Sequence, residues 1–188
     1  MYELISGRRT VRKFTREPIP DELLRKYVDA ARLAPSGANL QPLKYVIVKS
    51  EAVVAEVTKN VRWAAYIAPE GNPKKDEEPT AYIAVAADTD IKKSGWEADV
   101  GAAVMSLLLA AEEDGVGCCW MQAINYEEIS RILQLPKNLR LCCVVALGKK
   151  AEQPVSVTAK NGEIKYYKDE NGVLKVPKRP LEEILTEI

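Results

Sequence analysis

The sequence predicts a single domain of the α+β class. Its 188 residues are enough for one substantial core, since a chain of this size buries roughly 70% of its unfolded surface on folding. They are too few for two domains of ordinary size. Segments with apolar residues at helical spacing alternate with short apolar runs that are typical of strands. We therefore expect one domain over 1–188, with a core over 1–150 and a C-terminal tail over 151–188.

The elements follow from periodicity and from the residues that begin and end each one. In PIPDELLRKYVDAARLAP, apolar residues recur at helical spacing, Asp21 stands near the start and proline flanks both ends. EADVGAAVMSLLLAAEEDG is a long helix that is apolar around most of its circumference, so one of its sides is a candidate subunit interface. In chain order, we predict helix 1–7, a helix within 18–35, strand 43–48, helix 51–60, strand 81–88, helix 97–115, strand 118–124, helix 126–135 and strand 141–148.

Two stretches have no simple pattern. Residues 62–79 mix aromatics, prolines and charges, and we expect a mobile excursion over the surface. In the tail, the pairs Asn161-Gly162 and Asn171-Gly172 favour tight turns between short alternating segments. A hairpin-like tail of this kind is not stable alone, so it must pack on its own subunit or on a partner.

The composition excludes several classes of function. Lys+Arg and Asp+Glu both number 27, whereas a nucleic-acid or membrane-surface binder is normally biased towards basic residues. The N-terminal residues lack the apolar core of a signal peptide, and no segment approaches the roughly 20 apolar residues that span a bilayer, so we expect a cytoplasmic protein without membrane contact. Histidine is absent, which removes Ser-His-Asp and Cys-His catalysis. If the protein is an enzyme, its chemistry belongs to a bound cofactor.

The cysteines do not predict a metal site. They form two adjacent pairs, Cys118-Cys119 and Cys142-Cys143, each within a strand-like run. Neighbouring side chains in a strand point to opposite faces, so neither pair presents two thiolates to one metal ion. Buried structural cysteines are the favoured interpretation.

An acid-free basic cluster over 8–16 is the first candidate binding site. It contains Arg8, Arg9, Arg12, Lys13 and Arg16 in a chain that is neutral overall. Guanidinium groups present planar paired donors that match the oxygens of a phosphate monoester. A solvated basic face explains the same cluster equally well.

The loop APSGANLQP at 34–42 is the second candidate. Asn39 and Gln41 each carry a donor and an acceptor on one amide, which suits a ligand edge with alternating groups, such as the pyrimidine half of a flavin. Alternatively, Asn39 and Ser36 cap the loop's own backbone. The glycines of GVGCCW are not a dinucleotide fingerprint, and we expect them to end the long helix and turn the chain into the next strand.

Three motifs in order, RRTVRKF at 8–14, APSGANLQP at 34–42 and GVGCCWMQA at 115–123, closely resemble the nitroreductase family of FMN-dependent oxidoreductases. The resemblance runs over residues 2–150, and RPLEEIL near the C-terminus shares it. It implies an α+β fold of three layers, in which a mixed, mostly antiparallel sheet is flanked by helices. It also implies a homodimer with two equivalent sites at the interface and a tail wrapped around the partner.

The resemblance implies a set of cofactor-binding residues. Arg8, Thr10 and Arg12 would contact the FMN phosphate and ribityl chain, with Arg9 beside them, and Arg179 would close on the phosphate. Part of the 34–42 loop would reach the flavin bound mainly by the other subunit, and Met121 and Gln122 would pass the N5 side. The full set is Arg8, Arg9, Thr10, Arg12, Pro35, Ser36, Gly37, Asn39, Gln41, Met121, Gln122 and Arg179.

The implied activity is flavin-borne, with no catalytic side chain and no metal. NADH or NADPH would donate a hydride to flavin N5, and a flat small-molecule acceptor such as a nitroaromatic or quinone would take it. A reductive dehalogenase or enone reductase on the same fold is an alternative, for which the charges of 74–78 could contact a zwitterion. A non-catalytic flavin-binding carrier or sensor is another. Residues 62–79 and 155–178 depart from the family pattern, which leaves the acceptor and the role of Arg179 open.

Overall fold

Four antiparallel strands form the middle layer of the protein: β1 (Leu43–Val48), β2 (Ala81–Asp88), β3 (Val116–Met121) and β4 (Leu139–Lys149). The structure is a computed structural model that describes residues 1–188. The strand order across the sheet is β1-β2-β4-β3, and every neighbouring pair is antiparallel. The four predicted strands are thus present, although two of them have different bounds. β3 begins two residues earlier than expected, because Gly115 already turns the chain, and ends three residues earlier, whereas β4 extends beyond the predicted 141–148 at both ends.

Six helices accompany this sheet. None is long and apolar enough to cross a membrane. Their bounds are α1 (Tyr2–Gly7), α2 (Asp21–Arg32), α3 (Glu51–Thr58), α4 (Glu97–Glu113), α5 (Tyr126–Ile132) and α6 (Leu181–Ile184).

The sheet is buried on both faces, which gives the three layers that the family resemblance implied. On one face, Ile83, Val85 and Val145 pack with α2 and α4. On the other, Tyr82 and Val144 pack with α3 and α5. The period-two alternation of a strand therefore sends successive apolar residues into two separate cores.

The adjacent cysteines follow the same alternation. Cys118 belongs to the first core and Cys119 to the second, and all four cysteines are free. Burial raises the pKa of Cys119 to about 11 and that of Cys143 to about 12, so these thiols stay protonated near neutral pH.

Helix α4 has two different faces. Val104, Leu107 and Ala111 are buried against the sheet and α2. The remaining apolar face is only half-buried and consists of Gly101, Ala102, Met105, Ser106, Leu109 and Ala110. Gly115 ends the helix in a left-handed conformation with φ 71°, as its position in GVG predicted.

Two glycines allow the segment 8–14 to lie directly on the sheet. A Cβ atom added at Gly117 would stand 2.8 Å from the Val11 side chain, and one at Gly148 would stand 2.7 Å from Phe14. Val11 and Phe14 are both nearly inaccessible to solvent. Gly117 therefore serves close packing, in addition to the helix-ending role that we expected for the GVG motif.

The tail forms a second, small sheet from β5 (Val155–Thr158), β6 (Tyr167–Lys168) and β7 (Leu174–Lys178). Its order is β5-β7-β6, and β5-β7 is the one parallel pair in the fold. Asn161 and Gly162 both have positive φ, which matches the tight turn that their pairing predicted. Within this chain, the tail contacts the excursion 62–79, where Lys168 Nζ donates to the Glu70 carbonyl at 3.3 Å. Exchange of the tail between subunits stays a prediction.

Candidate functional site

The segment carrying the basic cluster is bound by its backbone to the end of the sheet. Val11 N–H donates to the Cys118 carbonyl and Thr15 N–H to the Lys149 carbonyl, both at 2.9 Å. Phe14 N–H donates to Glu77 O at 2.9 Å, which ties the excursion 62–79 to the same segment. With the backbone held and Val11 and Phe14 buried, the intervening basic side chains are directed away from the core.

Two of the five basic side chains are neutralised by acids. Lys13 Nζ lies 2.7 Å from Glu77, and Arg16 lies 3.3 Å from Glu51. Both acids are distant in sequence from the basic cluster, so no local pattern predicts these ion pairs.

The other three, Arg8, Arg9 and Arg12, have no salt bridge to any carboxylate within 4.0 Å. The Nε atoms of Arg8 and Arg9 are buried without a hydrogen-bond partner. Partial burial lowers the pKa of Arg9, and the neighbouring Arg8 charge lowers it further, although Glu112 opposes both effects. The terminal nitrogens of Arg9 donate to the Arg8 and Ser6 carbonyls, so the unused donor of Arg9 is its Nε, whereas the Arg8 guanidinium makes no hydrogen bond. Adjacent like charges with these unused donors favour the binding of an anion here over a solvated basic face.

Arg12 and Thr10 complete this group. The Arg12 guanidinium carbon lies 4.9 Å from the ring centroid of Tyr166 in the tail. Its backbone N–H donates to Glu152 Oε1 at 2.6 Å. Thr10 is half-buried between the arginines in sequence, and its hydroxyl makes no hydrogen bond within the chain.

The 34–42 loop has a strained and specific conformation. Ala38, Asn39 and Gln41 all adopt positive φ, between 51° and 55°, which costs energy for residues other than glycine. Ser36 Oγ accepts from Gln41 N–H at 3.0 Å, so the capping interpretation holds for this serine. The Asn39 amide is exposed and makes no bond within the chain, so it is free to bind a ligand.

Asp99 anchors this loop to the start of α4. Its side chain is 5% exposed, and it accepts from Gly37 N–H at 2.9 Å and from Lys92 Nζ at 2.7 Å. Burial raises the pKa of the Asp99 carboxyl, but the hydrogen bonds from Lys92 and Gly37 outweigh it, so the pKa lies below its ordinary value. Pro35, Ser36 and Gln41 line a small cleft of 140 Å³ beside this anchor.

Helix α4 separates the two groups of predicted residues. Gly37 of the loop is hydrogen-bonded to Asp99, which lies in the first turn of α4. Arg9 lines a cleft of 220 Å³ together with Glu112, which lies in the last turn of the same helix. The rise of an α-helix from residue 99 to residue 112 is about 20 Å. A single chain therefore does not bring the loop and the arginines into one cavity.

Comparison with known proteins identifies the family of this chain. The sequence model of the Nitroreductase family matches residues 5–149. The chain belongs to the nitroreductase family. A family relative from Methanothermobacter thermautotrophicus, described as a candidate NADH dehydrogenase/NAD(P)H nitroreductase, is 30% identical over 160 residues, which cover 82% of this chain and 79% of the relative.

Other members of the nitroreductase family show its breadth. The iodotyrosine deiodinase of Thermotoga neapolitana is 29% identical over 163 residues, covering 79% of this chain and 87% of that protein. A crystal structure of a candidate NADH dehydrogenase/NAD(P)H nitroreductase from Parabacteroides distasonis is 26% identical, with a TM-score of 0.70 over 86% of this chain and 92% of that one. A candidate nitroreductase from Desulfovibrio desulfuricans, solved in complex with FMN, has a TM-score of 0.71 at 24% identity, over 100% and 95% of the two chains.

Within this family fold, Met121 and Gln122 have different surroundings. The Met121 side chain is 4% exposed and packs in the second core, so only its backbone can face a ligand. Gln122 is exposed and lines both a cavity of 820 Å³ and a neighbouring one of 540 Å³. The resemblance placed both residues at the N5 side of the flavin, but only the Gln122 side chain is exposed, and its contact with a flavin stays a prediction.

Arg179 is not brought to the other arginines by this chain. Its guanidinium pairs with Glu183 one helical turn away, and no contact joins it to Arg8 or Arg12. Its contact with the phosphate stays a prediction.

Three residues that were not predicted from the sequence lie beside the predicted ones. Arg62 lines the 540 Å³ cavity with Gln122, and its N–H donates to the Ala123 carbonyl at 2.9 Å. Tyr166, in the tail, contacts Arg12 and also Tyr66, which lies in the excursion 62–79. The aromatic residues in those segments were the available signal, but no periodicity placed them.

We expect Asp99→Ala to lower the free energy of unfolding by about 2–3 kcal/mol, because it leaves the Lys92 charge and the Gly37 N–H without their partner. Asp99→Asn keeps an acceptor for Gly37 and should cost less. Urea unfolding followed by circular dichroism measures both. Equal stability of Asp99→Ala and wild type would contradict the anchoring role.

The same pair has a defined pH dependence. Because its folded pKa is lowered, the Asp99 carboxylate contributes stability above its unfolded pKa of about 3.9, and that contribution is lost as the pH falls through the folded value. The stability difference between wild type and Asp99→Asn should therefore be constant from about pH 5 to 7 and shrink below about pH 4.

Proposed function

We propose that the protein is an FMN-dependent oxidoreductase that transfers a hydride from NADH or NADPH to a flat acceptor such as a nitroaromatic or a quinone. The observation that carries the proposal is the group of three arginines, Arg8, Arg9 and Arg12, which have no carboxylate partner and include two buried, unpaired Nε atoms. These donors fit the phosphate of FMN, and the segment lies within the part of the chain that the family model matches.

FMN, when bound, supplies an N5 atom that accepts and passes on the hydride. The protein's part is to bind and orient. Arg8, Arg9 and Arg12 would hold the phosphate with charge-assisted hydrogen bonds, with the Thr10 hydroxyl beside them. The Gln122 amide and the backbone of Met121 would face the ring, and the free Asn39 amide would contact its pyrimidine edge.

A homodimer would assemble this site. The loop 34–42 and the arginines lie at opposite ends of α4, about 20 Å apart. Two copies packed antiparallel through the half-buried α4 face, which contains Gly101, Met105 and Leu109, would place the loop of one copy beside the arginines of the other. The exposed apolar residues of the tail, Leu181, Ile184, Leu185 and Ile188, would pack on the second copy. Sedimentation as a monomer in saturating FMN would contradict this arrangement.

We expect the purified protein to retain yellow flavin after incubation with FMN and desalting, and the flavin to bleach anaerobically with NADH, NADPH or both. The absorption spectrum near 450 nm, an approximate flavin maximum, records both results. Retained flavin that no nicotinamide reduces would support a carrier or sensor in place of the enzyme. No retained flavin would overturn the proposal.

Replacing Arg8 and Arg12 together by alanine should weaken FMN binding by about 100-fold or more, since each charged contact contributes about 1.5–3 kcal/mol. The folding of the apoprotein should be largely intact, because neither guanidinium is in an ion pair and only the contact of Arg12 with Tyr166 is lost. Arg16→Ala is the matched control: it removes an arginine of the same cluster that already pairs with Glu51. Equal FMN affinity of the double variant and the control would remove the phosphate assignment.

Reductive dehalogenation is the second candidate, favoured by the 29% identity to a deiodinase. The charges of 74–78 offer it little support, because Glu77 pairs with Lys13 and Glu78 with Lys75. We expect the reduced protein to release no iodide from iodotyrosine while it reduces a quinone, and an iodide electrode measures this. Iodide release at the rate of quinone reduction would reverse the assignment.

A further inference from the structure

Arg12 is held at both its ends by the C-terminal tail. Its backbone N–H donates to the Glu152 carboxylate at 2.6 Å, and its guanidinium lies over the Tyr166 ring at 4.9 Å. Both contacts join parts of the chain far apart in sequence. The two contacts hold the backbone and the guanidinium of Arg12, whose long side chain would otherwise sample many rotamers.

The contact with Tyr166 leaves the charge of Arg12 available. A carboxylate in this position would neutralise the guanidinium and occupy its N–H donors. An aromatic face attracts the cation through the ring quadrupole and accepts none of the in-plane donors. The arrangement therefore orients an arginine whose hydrogen bonds are still to be made.

Tyr166 is itself supported on two sides. Its ring packs on that of Tyr66 with centroids 4.9 Å apart and planes inclined by 52°. The strand that follows it, β6, pairs with β7, and the turn between them is closed by Asp169, which accepts from Val173 N–H at 2.9 Å and pairs with Lys175 at 3.0 Å. A ring on such a hairpin is a firm support for the side chain stacked on it.

We infer that Tyr166 is a positioning residue that orients Arg12 for a phosphate monoester, so that the tail takes part in cofactor binding from outside the motif-bearing core. The inference rests on the proposed FMN site. It concerns the phosphate end alone, so it predicts a difference between FMN and riboflavin, which lacks the phosphate.

The test is a titration of each flavin, followed by quenching of its fluorescence, with wild type and with variants whose folding is checked by circular dichroism. Tyr166→Leu should weaken FMN binding about 3- to 30-fold, the range for a cation–π contact, and leave riboflavin binding within about twofold. Tyr166→Phe keeps the ring and should bind FMN within about twofold of wild type. Tyr167→Leu, at the neighbouring exposed tyrosine, is the matched control and should behave as wild type.

A double variant tests whether Tyr166 acts through Arg12. Adding Tyr166→Leu to Arg12→Ala should weaken FMN binding no further, because the side chain to be oriented is gone. If Tyr166→Leu fails to fold, Tyr166→Gln repeats the measurement with a polar side chain at this half-buried position.

Several results would overturn the inference. These are wild-type FMN affinity in Tyr166→Leu, equal losses for FMN and riboflavin, failure of Tyr166→Phe to restore binding, or additive losses in the double variant. Absence of FMN binding by wild type is a different result, which would overturn the proposed function and this inference with it.

Discussion

The close packing of segment 8–14 on the sheet is the contact on which the rest of the site depends. Only glycine at 117 and 148 lets Val11 and Phe14 approach the strands this closely. Once these two apolar residues are buried, the arginines of the segment are held at the end of the sheet whatever ligand they bind. The energy that positions the cationic group is thus hydrophobic, and it does not have to come from ion pairs.

The length of helix α4 determines how far apart the 34–42 loop and the arginines lie. Asp99 fixes the 34–42 loop at one end, and Glu112 lies near Arg9 at the other. The helix is rigid, so no local rearrangement of one chain can join the two groups. In the homodimer that we propose, a second copy related by a two-fold axis would resolve the separation without any change of conformation, and it would cover the apolar face that α4 turns away from the core.

The spacing of apolar residues and the residues that end helices were sufficient to predict which helices and strands form the core. Strand 43–48 was predicted to the residue, and helix 97–115 was placed within two, because both depend on local patterns. The partner of each arginine could not be predicted from local patterns, because Arg16 and Arg12 look alike in sequence. Only the fold shows that Glu51 pairs with Arg16 and that a tyrosine contacts Arg12. The strand that contains Met121 was predicted, but the burial of its side chain was not, because burial depends on the helices that cover each face of the sheet.

The contact between Tyr66 and Tyr166 links segments 100 residues apart that both differ from the family pattern. These segments form one surface, and neither has its full set of neighbours without the other. A chimera that takes 62–79 from a relative while keeping this tail would set a foreign surface against Tyr166 and Lys168. A chimera that exchanges one of the two segments therefore has to exchange both as a single unit.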